Sequence, residues 1–167
     1  MDAKKVILGS LEQSWGFLTK ALDGLTQKEF AFTPGPECNS IAFILWHTAR
    51  VEDFFVNRII KREKELYTTE GWQAKLGTPD KLYQLIPEEL QAWPVPKMAE
   101  LRKYANAVRE KTLAFINAIS SEKLDEVPRP DRSPDSIGTS LGHMSTEIAL
   151  HVGQICYLRG MQRGLDK

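Results

Sequence analysis

The stretch Ser136–Gly160, SIGTSLGHMSTEIALHVGQICYLRG, decides the fold. Leu141, Met144, Ile148, Ile155 and Leu158 recur at multiples of three and four, the spacing that lines up one apolar face of an α-helix. Pro128, Pro130 and Pro134 precede it, Asp135 or Ser136 can accept from its first amides, and Gly160 is predicted to stop it. A helix this long and amphipathic needs partners of similar length.

Three further segments supply them. From about Ala3 to Leu25, the residues Val6, Ile7, Leu11, Trp15, Leu18, Leu22 and Leu25 follow the same period. After Pro34-Gly35-Pro36, Asn39 or Ser40 can cap a second helix running to about Arg62. Beyond Pro94 and Pro96, a third runs to about Ile119 with Leu101, Tyr104, Val108, Thr112 and Ile116 on one stripe. The connection from about Glu63 to Val95 is too long for a plain loop. Its periodic pieces, Trp72–Leu76 and Lys81–Leu90, predict short helices over one end. No β-type alternation and no internal repeat interrupts this pattern. The expectation is one all-α domain spanning residues 1–167, a four-helix bundle with a long connection between its second and third helices.

Composition narrows the function classes. Hydrophobic residues make up 42% and charged residues 26%, enough apolar side chain for a core. Lys plus Arg and Asp plus Glu number 22 each, so the net charge is zero and no basic, aromatic-interleaved stripe favours nucleic acid. The longest apolar run, Ile41–Trp46, is far short of the roughly 20 residues of a membrane span. The first residues, MDAKK, lack a secretory pattern, which predicts a cytoplasmic protein. Cys38 and Cys156 are too few for a disulfide framework and read as reduced thiols, the first a loop residue and the second a small core residue.

The chain has three histidines, and the final helix carries two of them in the order His143, Glu147, His151. Each step of four residues turns only about 40° around a helix, so all three share a face. His47 sits on the second helix beside Trp46, where a bundle can bring it opposite that face. Neutral imidazoles and a carboxylate are ordinary ligands of zinc and other first-row divalent ions, and facing helices are a common place to collect them. A di-iron carboxylate site would need paired Glu-x-x-His motifs, and none occurs. Glu52, about 140° around the helix from His47, reads as a structural partner of Arg50 or Arg58. Gly153 and Gln154 read first as packing residues, with a hydrogen bond within the site as the alternative for Gln154.

Two motifs carry a resemblance. HMSTEIALHVGQI, residues 143–155, resembles the closing helix of the DinB-like metal-dependent four-helix bundles, with Glu147 where the commonest pattern has a histidine. SIAFILWHTARVE, residues 40–52, is similar to that family's second-helix motif. The resemblance implies His47 and His151 as ligands of a divalent metal ion, zinc or nickel, with Glu147 or His143 completing the set. It also implies a homodimer and a metal-dependent enzyme acting on a small molecule, with a low-molecular-weight thiol among the possible substrates, through a transferase, isomerase or hydrolase reaction. The alternative is a structural or interaction bundle that binds no metal.

Overall fold

The computed structural model of the chain describes residues 3–82 and 86–164. Four long helices dominate: α1 (Ala3–Leu22), α3 (Ile41–Asp53), α7 (Met98–Ala118) and α8 (Ile137–Arg163). Short helices join them, α2 (Gln27–Phe30) after the first and α4 (Leu66–Thr69), α5 (Trp72–Leu76) and α6 (Pro87–Gln91) in the long connection. The all-helical architecture read from the sequence is the one observed. Among the described residues no helix is long and apolar enough to cross a membrane.

Local chemistry sets the helix boundaries. Ser40 rather than Asn39 caps α3, its Oγ accepting from Phe43 N at 3.1 Å. Ser136 rather than Asp135 caps α8 by accepting from Thr139 N at 3.1 Å. The first helix ends at Leu22, short of Leu25, because Gly24 takes a left-handed φ of 65° and turns the chain. Gly160 does not stop α8. It lies inside the helix, which continues to Arg163, whose guanidinium pairs with Glu29 at 2.7 Å and holds that last turn against α2.

The second helix departs most from expectation. From Phe54 to Lys61 the backbone widens to π-helical i→i+5 bonding, and Arg62 closes it in the left-handed region at φ 60°. In the connection, α4 and α5 flank a turn at Gly71, and α6 starts at Pro87. Part of the predicted Lys81–Leu90 piece, residues 83–85, lies outside the described residues.

α3 is the central helix. It packs against both α7 and α8, while α8 also packs along α1. Leu11 and Leu18 of α1, Ile41, Leu45 and Trp46 of α3, Leu101 and Tyr104 of α7, and Leu141 and Met144 of α8 are all but inaccessible to solvent. The long connection folds back over α3, Trp93 meeting Phe43 at 5.2 Å and Trp46 at 5.5 Å between ring centres. Tyr67 pins its middle, its hydroxyl donating to the Thr78 carbonyl at 2.9 Å. This cover leaves the His47 face of α3 half open toward α8.

Candidate metal centre

Ile44 of α3 and Leu158 of α8 border the same groove, and one turn further along α3 lies His47, opposite His151 of α8. The two helices therefore run antiparallel here. The imidazole rings stand perpendicular with centres 4.8 Å apart. Both are half-buried. Burial, followed by the neighbouring His151, pushes the His47 pKa down to about 4, against a hydrogen bond with the Leu82 backbone that acts in the opposite direction. At neutral pH His47 is an uncharged imidazole.

His151 is held from its own helix. Its Nδ1 lies 3.0 Å from Gln154 Oε1, and in the tautomer that donates from Nδ1 to that oxygen Nε2 presents a lone pair. That Nε2 is buried and has no hydrogen-bond partner. Glu147 Oε2 stands 3.6 Å from it, too far for a hydrogen bond. An imidazole nitrogen and a carboxylate oxygen thus face one another without a hydrogen bond between them.

The four residues singled out in the sequence are not all brought together. His151 meets His47 across the helix interface and stands 3.6 Å from Glu147 on its own helix. His143 is exposed, about 12 Å back along the axis of α8 from His151. Among the described residues no group of three or more His, Cys, Asp or Glu forms a ready metal cage, and Glu147 is half exposed to solvent. A groove of about 640 Å³ opens beside His151, Glu147 and Gln154, with Ile44, Leu150 and Tyr157 as its apolar lining.

Two packing assignments need correction. Gln154 is exposed and bonds His151 instead of packing against a neighbouring helix. Gly153 is not a close-approach position, since a Cβ placed there would meet nothing within 4 Å. The cysteines stand as read: Cys38 is exposed, and Cys156 packs against the core, where burial raises its thiol pKa.

A second polar cluster on α3 was missed in part. Glu52 pairs with Arg109 of α7 at 2.9 Å, both almost fully buried, and not with Arg50 or Arg58. The turn of 140° that removes Glu52 from the His47 face aims it at α7. Arg50 instead faces the connection, pairing with Glu65 at 3.1 Å and Asp80 at 2.8 Å while its guanidinium lies 3.7 Å over the Tyr67 ring. Asp53, with no exposed surface, accepts from Asn57 Nδ2 at 2.7 Å and from Leu66 N, Tyr67 N and Tyr104 Oη at 2.9 Å each. It caps α4 from across the chain. The signal in the sequence was the run Arg50-Val51-Glu52-Asp53 at the end of an otherwise apolar helix.

The comparisons with known proteins agree with the fold and with the superfamily resemblance. The DinB superfamily model matches residues 10–155, and the chain belongs to that superfamily. A conserved protein from Enterococcus faecalis, known from its crystal structure, is similar with a TM-score of 0.84 over 96% of this chain and 97% of that one. The two share 23% sequence identity, so this likeness concerns the fold. No curated protein matches the chain.

Proposed function

We propose that this DinB superfamily member binds one divalent metal ion, zinc or nickel, through His47, His151 and Glu147, and uses it as a metal-dependent enzyme on a small molecule. The observation that carries the reading is the unpartnered, buried Nε2 of His151 facing the Glu147 carboxylate at 3.6 Å. Two ligands of one tetrahedral zinc, each about 2.1 Å from it, lie about 3.4 Å apart, so the pair needs little adjustment to share an ion. A cation between them would satisfy both groups at once.

The residues fit a metal in two other respects. Each histidine has one ring nitrogen engaged, His151 by Gln154 and His47 by the Leu82 backbone, the arrangement that orients metal-bound imidazoles. His47 needs no proton removed at neutral pH before it can donate its lone pair. When bound, the ion would act as a Lewis acid that favours the deprotonated form of a thiol or water beside it. The groove next to His151 would hold the rest of the substrate, its apolar lining excluding water and Gln154 keeping His151 in place. A low-molecular-weight thiol is the cosubstrate to screen first.

The test is metal content of the protein purified without a histidine tag, by plasma mass spectrometry, beside His47→Ala and His151→Ala. About one equivalent in the parent and none in either variant supports the reading. No metal before or after exposure to zinc and nickel overturns it and leaves a structural or interaction bundle.

A further inference from the structure

On the far side of Phe54, the π-helical end of α3 and the loop before α8 enclose a groove of about 620 Å³. Five cations line it, Arg58, Arg62, Lys64, Arg129 and Arg132, against the two carboxylates Glu63 and Asp131. In a chain with no net charge this is a local excess of three positive charges. The carboxylates do little to offset it. Glu63 is held by Lys61 at 2.5 Å, and Asp131 reaches only Arg132, at 3.7 Å. Arg62 donates to the neutral carbonyl of Pro128. Among the described residues Lys64 and Arg129 have no carboxylate in salt-bridge contact, Arg58 has Glu65 as an electrostatic neighbour, and Arg129 is half-buried.

Like charges converging on one concavity repel one another, and the half-buried Arg129 is the least solvated of them, so the arrangement is relieved by an anion. The backbone is committed to it. Arg62 has a Cβ yet sits at a left-handed φ of 60°, and π-helical geometry carries the chain into that turn. Both are unfavourable features of the kind that persist where a site needs them. Phe54 and Ile59 add an apolar wall between the charges.

We propose that this groove binds a small molecule bearing at least two negative charges on phosphate or carboxylate oxygens, with Arg58, Lys64 and Arg129 as its main contacts and Phe54 against its apolar part. The groove is continuous with a second one that shares Phe54, Arg58 and Lys64 and extends to Leu82, the residue whose backbone bonds His47. None of the anion's contacts is a candidate metal ligand, so the inference stands whether or not a metal binds.

Isothermal titration of the full chain with pyrophosphate, and separately with citrate, at low ionic strength and in EDTA tests it. Saturable 1:1 binding is expected, weakened by salt and by about tenfold or more in Arg58→Ala and in Arg129→Ala, where one charge-assisted contact is lost. Lys103→Ala, a paired cation on α7, should bind as the parent does. Binding of either oxyanion with this residue dependence supports the proposal, and the preferred one identifies the ligand's charged group. Circular dichroism confirms that the exposed or half-exposed arginine variants fold. Absence of saturable binding, or Arg58→Ala and Arg129→Ala binding like the parent, overturns it without touching the metal reading.

Discussion

Two polar clusters stand side by side on α3 and differ in what completes them. At its C-terminal end Asp53 is fully satisfied from within the chain, accepting four hydrogen bonds, and the Glu52 charge is matched by Arg109 at 2.9 Å although Glu52 Oε1 and the Arg109 guanidinium nitrogens lack hydrogen-bond partners. One to two turns earlier, His47 meets His151, whose Nε2 is buried and unpartnered beside a carboxylate. Buried polar groups that satisfy one another hold a fold together, while a buried lone pair left without a donor is available for a ligand. Asp53, enclosed and fully satisfied, is therefore the structural group, and the half-open histidines, beside a groove, the chemical one. A residue's rarity or burial alone would have ranked them the other way.

The comparison breaks most visibly at Asp53. Asp53→Ala strands four donors, two of them the first amides of α4, and should cost about 4 kcal/mol, lowering Tm by about 8–16 °C. Thermal denaturation followed by circular dichroism measures it. A loss below about 1 kcal/mol would mean that water replaces the carboxylate and that the cluster is not structural.

Next in size is the buried ion pair. Arg109→Met leaves Glu52 uncompensated and should cost about 3 kcal/mol or more, whereas the double variant Glu52→Met/Arg109→Met should return to within about 1 kcal/mol of the parent. The pH dependence of the single variant gives a second readout. Burial raises the Glu52 pKa even with Arg109 present, and removing the cation raises it further. The folded state then binds more protons than the unfolded one, so Arg109→Met should lose stability as pH rises above about 4.5, the ordinary carboxyl value. A flat profile would mean that Glu52 has found another cation or water.

How much of this could be read in advance follows the range of each interaction. The four long helices were legible because apolar periodicity and proline punctuation are local, and the His47–His151 pair because a chain with three histidines leaves few choices once the helices are drawn. The Glu52–Arg109 pair was not legible, since its partner lies on another helix and depends on rotation about α3. The π-helical segment has no periodic signature in eight residues, and Arg62 occupies a left-handed position where the usual signal is glycine. Gly160 misled for the converse reason: tertiary contacts of Arg159 and Arg163 with the turn after α1 and with α2 outweigh one glycine's helix cost of about 1 kcal/mol.

At the histidine cluster the effects are smaller in stability and sharper in binding. Metal at a hundredfold excess over Kd should stabilise the parent by about 2.7 kcal/mol, raising Tm by about 5–10 °C. His47→Ala and His151→Ala should lose that rise while their metal-free stability stays within about 1 kcal/mol of the parent, because both side chains are half exposed. Glu147→Gln should weaken binding and His143→Ala leave it unchanged, since His143 stands about 12 Å away along α8. Loss of binding in His143→Ala would instead place the third ligand one turn earlier and require α8 to rotate.

The smallest effect separates a ligand's support from the ligand itself. Gln154 touches His151 and projects from an exposed part of α8, so Gln154→Ala should leave the metal-free Tm unchanged. Its loss frees the ring to carry its proton on either nitrogen and to rotate, which should lower metal affinity by about tenfold and at most a hundredfold. Gln154→Glu keeps an acceptor at Nδ1 and should retain affinity, which a purely steric role for the side chain would not distinguish from any other polar substitution. Isothermal titration with zinc separates the cases. Equal affinity in Gln154→Ala and the parent would mean that Nε2 is presented by packing alone, and the histidine cluster would then be built as the Asp53 cluster is, by the fold around it.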